Sequence, residues 1–102
     1  MQYQEVTDHT LNWNLYSRHG HTLLHLAQNR DVRMSDLASA VGITDRQVRS
    51  LLKPMEASGV VKVARIGRNN RYELDPEYLF SHPVESKIHL GDWIEWHRSC
   101  GA

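Results

Sequence analysis

Cysteine is almost missing from this chain. The one thiol, Cys100, lies two residues from the end of a 102-residue sequence. That excludes an intramolecular disulfide or a cysteine metal cluster and makes a reducing, cytoplasmic location the default expectation. Long apolar runs are missing as well. Nothing approaches the ~20 apolar residues that a membrane span needs, and Met1 to Thr10 lack the apolar core of a signal peptide. There is no internal repeat and no low-complexity linker, so we expect one domain over residues 1–102 around one modest core. A 40% hydrophobic and 24% charged composition places the chain with globular rather than disordered proteins.

Catalytic and metal chemistry are poorly represented. No nucleophile–base pair, glycine-rich phosphate loop or buried pair of carboxylates is legible, so no enzyme and no cofactor is expected. Seven histidines raise the question of a metal. His21 and His25, at i and i+4, could chelate zinc, with His19 close by. They have no cysteine or acidic neighbour in sequence, and a pair of this kind reads as a solvated helix face; no metal site is assigned.

Net charge is missing only in total. The 12 cations and 12 anions cancel, yet residues 45–71 hold seven cations (Arg46, Arg49, Lys53, Lys62, Arg65, Arg68, Arg71) against Asp45 and Glu56. That window carries +5 and the remainder −5. Such a bipolar chain suits one face meeting phosphate while the rest stays solvated.

The residues under that charge have a recognisable order. Leu23, Leu24, Leu26 and Ala27, with Trp13 and Tyr16 upstream, fit a first helix ending near Gln28 and Asn29. Ser35 is the expected N-cap of a second helix with Leu37, Ala38 and Val41 on one face. Gly42 stands where the chain must turn at positive φ. Thr44 caps a third helix whose Val48, Leu51, Leu52 and Met55 make a buried stripe. Ala38 allows close helix approach, and Val41 and Ile43 flank the glycine. This is a helix-turn-helix, at about 35–58. Its opposite stripe, Arg46, Arg49, Ser50 and Lys53 flanked by Gln47, would face a major groove. Arginine pairs with guanine, glutamine can pair with adenine, and Lys53 lies where a phosphate would. Pro54 should end or bend the helix.

A β-hairpin follows, at about 60–74. Val61 and Val63 alternate with Lys62 and Ala64, and Tyr72 and Leu74 alternate with Arg71 and Glu73, so one face should pack on the helices. Gly67-Arg68-Asn69-Asn70 forms the tip, with Arg65 and Arg71 near the strand ends. A projecting Arg68 suits a narrow, electronegative minor groove. Candidate DNA contacts are therefore Thr44, Arg46, Gln47, Arg49, Ser50, Lys53, Arg65, Arg68, Asn70 and Arg71. Asp75-Pro76 reads as the entry to a short helical turn at Glu77 to Phe80.

The last segment, about 83–100, is expected to be helical and to dimerise. Wound as one helix, it sets Val84, Ile88, Leu90, Gly91 and Ile94 on one face and His89, Trp93 and Trp96 nearly opposite. Two apolar stripes imply cover on both sides, which assigns Ile88, Leu90, Trp93, Ile94 and Trp96 to a subunit interface. The alternative has the tryptophans folding back on Tyr16 and Trp13 of the same chain. Gly91 with Asp92-x-x-Glu95 also leaves open a separate short helix after a break.

Ser17-Arg-His-Gly20, Leu23-Leu-His-Leu-Ala27, Leu37-Ala38, Val41-Gly-Ile-Thr44, Arg46-x-Val48, Leu51, Glu56-x-x-Gly59, Arg65-x-Gly-Arg68, Asn70-Arg-Tyr72 and His82-Pro83-x-Glu85, with Trp13, resemble the winged helix-turn-helix transcription regulators of bacteria and archaea. The likeness is to short, single-domain members of the MarR-like and ArsR-like group, over roughly residues 13–85. It implies a mainly α fold with a β-hairpin wing and an additional C-terminal helix. It also implies double-stranded DNA binding, through Arg46, Gln47 and Ser50 on the recognition helix and Arg68 on the wing. The chain is shorter than MarR-type proteins, which carry longer dimerisation helices at both ends. The function expected is a sequence-specific transcription regulator, a cytoplasmic homodimer on a palindromic operator with no membrane partner. A winged helix that docks a protein, or an architectural DNA binder with little sequence preference, are the alternatives.

Overall fold

The computed structural model describes residues 13–101, so the polar stretch ahead of Leu11 lies outside the described residues. The elements run α1 (Arg18–Gln28), α2 (Met34–Val41), α3 (Asp45–Ser58), β1 (Val61–Ile66), β2 (Asn69–Leu74) and α4 (Leu90–Cys100). This is a winged helix-turn-helix with an added C-terminal helix, as the sequence led us to expect.

Ser17 starts α1 by accepting the Gly20 amide proton on its side chain. Gly20 is required there for a second reason: a Cβ at this position would stand 2.9 Å from the Cβ of Tyr16. Helix α2 differs from expectation, because its N-cap is Arg33 and Ser35 lies inside the helix. The Leu37 amide already bonds the Arg33 carbonyl at 2.9 Å, which closes the first turn two residues early. Gly42 then leaves α2 at φ 85° and ψ 34°, a left-handed conformation that a side chain would disfavour.

Thr44 opens α3 with a full capping box. The helix continues through Pro54 to Ser58 as one element, so the expected end at Pro54 does not occur. Proline lacks the amide proton that would bond the Ser50 carbonyl, and both residues are on the exposed side, where water can serve that acceptor.

The hairpin pairs Val61 with Leu74, Val63 with Tyr72 and Ile66 with Asn69. Its turn is tighter than the four-residue tip expected: Gly67 and Arg68 alone make it, and Asn69 and Asn70 belong to β2. Gly67 has φ 63° and is the only one of the two at positive φ, the arrangement of a type II′ turn. The Tyr72 amide donates to the Arg30 carbonyl at 2.9 Å, tying the outer edge of β2 to the loop between α1 and α2.

Leu23 and Leu26 of α1, Leu37 and Ala38 of α2, Val48, Leu52 and Met55 of α3, Val60, Val61, Tyr72 and Leu90 form one buried cluster. Burying each large side chain contributes on the order of 1.5–3 kcal/mol. The packing holds α3 from behind and leaves its opposite face free.

The C-terminal expectation needs correction in three places. Residues 83–87 form turns, and the helix begins only at Leu90. The expected helical turn at Glu77 to Phe80 is instead a single hydrogen-bonded turn at Pro76 and Glu77, followed by a bridge between Leu79 and His89. That bridge holds His89 extended, so the helix cannot start earlier. The first amides of α4 are then satisfied from a distance: Leu90 bonds the Tyr78 carbonyl at 3.0 Å and Gly91 the Pro76 carbonyl at 2.9 Å. A Cβ on Gly91 would lie 2.9 Å from that same Pro76 oxygen, which explains a glycine in the first turn of a helix that does not break. Finally, Leu90 is fully buried in its own subunit and is no interface residue.

Candidate nucleic-acid interface

The free face of α3 carries Arg46, Gln47, Arg49, Ser50 and Lys53, all exposed, with Thr44 exposed just ahead of it. Arg46, Arg49 and Lys53 enter no ion pair among the described residues. Three unpaired cations on one helical stripe, beside the positive end of a helix dipole, give a strongly electropositive ridge.

Two residues of that face are already engaged. The Gln47 side-chain oxygen accepts the Thr44 amide proton at 2.9 Å, and the Thr44 hydroxyl oxygen accepts the Gln47 amide proton at 3.2 Å. The Thr44 hydroxyl still has its own proton to donate. The Gln47 oxygen is withdrawn toward the helix start.

The hairpin stands beside this ridge. Strand register puts Val61, Val63, Arg65, Asn70, Tyr72 and Leu74 on one face. Val61 and Tyr72 reach the core, and the outer part of the face borders a groove against α3. Arg49, Lys53, Glu56, Val63 and Asn70 line that groove, whose volume is about 230 Å³. It gathers two cations, the Glu56 carboxylate and a carboxamide over an apolar floor, so its net charge is only +1 and the cations Arg49 and Lys53 are its phosphate-seeking groups.

The wing arginines have different surroundings. Arg65 turns back on the tip and donates from Nε to the Gly67 carbonyl at 3.4 Å. Arg68, at the apex, is exposed and enters no ion pair among the described residues. Arg71 faces away toward the α1–α2 loop, where its Nε is 3.9 Å from Asp31 Oδ1. That Nε is shielded from water and makes no hydrogen bond, while the Arg71 side chain as a whole stays 42% exposed. Sequence reasoning missed Asp31, because it lies 40 positions earlier and carries no local sign of the pairing. It also missed Ile66, 55% exposed beside the cationic tip.

The proposed interface residues separate. Trp93 is half-buried and donates from Nε1 to the Tyr16 hydroxyl at 3.2 Å, the fold-back arrangement weighed above. Ile94 packs against the core. Ile88 and Trp96 remain open, 39% and 57% exposed. Among the described residues no three histidine, cysteine or acidic side chains converge as metal ligands would.

The family model described as "Sugar transport-related sRNA regulator N-term" matches residues 14–89, which takes in α1 to β2 and the bridge at His89 but ends before α4. That family is not the MarR-like or ArsR-like group suggested by the sequence motifs; the broader description as a regulator is what they share. No curated protein matches the chain. Among solved structures, a candidate transcriptional regulator from Listeria innocua is similar at 21% identity and a TM-score of 0.48, over 86% of this chain and 75% of that one.

Proposed function

This chain belongs to the family of sugar transport-related sRNA regulator N-terminal domains, and from that premise we propose that it is a sequence-specific, double-stranded-DNA-binding transcription regulator. Helix α3 enters a major groove and the wing reaches the neighbouring minor groove. The observation that carries this reading is the exposed, unpaired stripe Arg46, Arg49 and Lys53 on a helix whose other face is locked into the core. A winged helix that only docks protein has no need of such a stripe. The same absence of catalytic constellations noted in the sequence supports a non-enzymatic role.

We place the protein in the cytoplasm, in keeping with the family and with the finding that no described helix is long and apolar enough to cross a membrane. A homodimer on a palindromic operator completes the proposal, with recognition helices set roughly 34 Å apart. Its support is narrower than the sequence suggested, resting on exposed Trp96 and Ile88.

Binding to DNA upstream of the protein's own gene, and of sugar-transport genes in view of the family description, tests the proposal. Affinity should fall steeply with salt as counterions are released, and the operator should outcompete scrambled DNA by on the order of 10³ or more. Equal affinity for every duplex would favour an architectural binder. Salt-insensitive binding would remove the electrostatic basis of the proposal.

A further inference from the structure

We propose that Gln47 acts toward DNA as a hydrogen-bond donor only, and so selects guanine at the base edge it faces. The inference rests on α3 being the major-groove helix. A backbone N–H can only donate, so the Gln47 atom 2.9 Å from the Thr44 nitrogen is fixed as the carbonyl oxygen. The reciprocal bond from the Gln47 amide to the Thr44 hydroxyl oxygen closes the two residues into one ring. Each bond satisfies a donor that a helix start otherwise leaves open. The carboxamide therefore cannot flip, and its oxygen, whose second lone pair stays unused, is drawn to the helix start and cannot turn outward to a base unless the cap is given up. The end left over is Nε2 with its two N–H groups, on an exposed residue in the first turn of α3. That turn is where recognition helices meet base edges.

Base chemistry then makes a choice. Adenine presents the N7 acceptor beside the N6 donor, and glutamine pairs with it by offering oxygen and nitrogen side by side. A group that only donates meets a second donor at N6. Guanine presents N7 and O6, both acceptors, which a single nitrogen can serve as a lysine does, whereas thymine offers only O4 beside its methyl group. Arg46, next to it in the same turn, is also donor-only. The pair of side chains complements acceptors, and the adenine pairing open to glutamine in general is closed to this one.

Gln47→Glu is the discriminating variant. A glutamate keeps one oxygen for the Thr44 amide, as capping boxes usually have it, while its second oxygen accepts where the nitrogen donated. Duplexes recovered from a randomised pool by the unmodified protein, Q47E and Q47A are compared by sequence preference, since the added charge lowers Q47E affinity on all DNA. One position in each half-site should change from guanine to cytosine in Q47E, with on the order of tenfold preference either way. Q47A should lose preference at that same position, and the Tm of Q47E should match the unmodified protein. Adenine recovered there by the unmodified protein, or an unchanged consensus from Q47E, overturns the inference. Absence of any consensus with the unmodified protein overturns the role of α3 itself, and the inference with it.

Discussion

The hydroxyl of Tyr16 lies 2.8 Å from Nε2 of His97, 81 positions later in the chain. Trp93 donates to the same oxygen, and the Tyr16 ring meets those of Trp93 and His97 edge to face at 5.3 and 5.5 Å. The segment ahead of α1 is thus held to α4 by one shared oxygen atom and by the ring that carries it. Tyr16→Phe keeps the ring packing and strands the indole N–H, so it should lower unfolding free energy by about 1–2 kcal/mol in denaturant titration. A loss below about 0.5 kcal/mol, ordinary for surface changes, would mean that the oxygen holds nothing.

Leu90 and Trp96 lie on one helix with opposite exposure, fully buried and 57% exposed. Leu90→Ala opens a cavity in the core and should cost about 2–5 kcal/mol of stability. Trp96→Ala should leave stability within about 0.5 kcal/mol while shifting sedimentation toward monomer. Identical sedimentation of Trp96→Ala and the unmodified protein across concentration would move the subunit contact elsewhere, or dispense with it.

On α3, position along the stripe decides the kind of loss. Arg46→Ala, in the first turn, should relax preference at one base pair by about 1–3 kcal/mol. Lys53→Ala, two turns on and beside the wing groove, should weaken binding to all duplexes and reduce the salt slope by about one unit. Competition titrations at several salt concentrations separate the two. Uniform loss from both changes would leave no reader on this helix.

At the wing tip, Arg68→Ala should reduce affinity most for operators with A·T-rich flanks, where a narrow minor groove concentrates negative potential. Binding measured against flanks of graded composition gives the answer directly. The same loss on every flank would reduce Arg68 to a phosphate contact.

The helix-turn-helix and wing were legible because their signals are local. Ala38, Gly42 and Thr44 fix the turn within seven positions, and Val48, Leu52 and Met55 repeat at helical spacing. The alternation from Val61 to Leu74 likewise states which hairpin face is buried. The C-terminal region was not legible, since α4 begins where it does through carbonyls of Pro76 and Tyr78. Apolar spacing alone extended that helix into residues 83–87, where the chain makes turns. The contact of Arg71 with Asp31 was not legible, because it joins positions far apart in the chain. For Gln47 the relevant pattern, Thr44-x-x-Gln47, was present in the sequence, and its capping use came into view only with the bond distances.

The bond from the Tyr72 amide to the Arg30 carbonyl, together with Val61 and Tyr72 in the core, roots the wing at one end and leaves its tip projecting. From Tyr72 to Arg68 is roughly 13 Å of extended chain, so a ten-degree tilt at the root would carry the apex through about 2 Å.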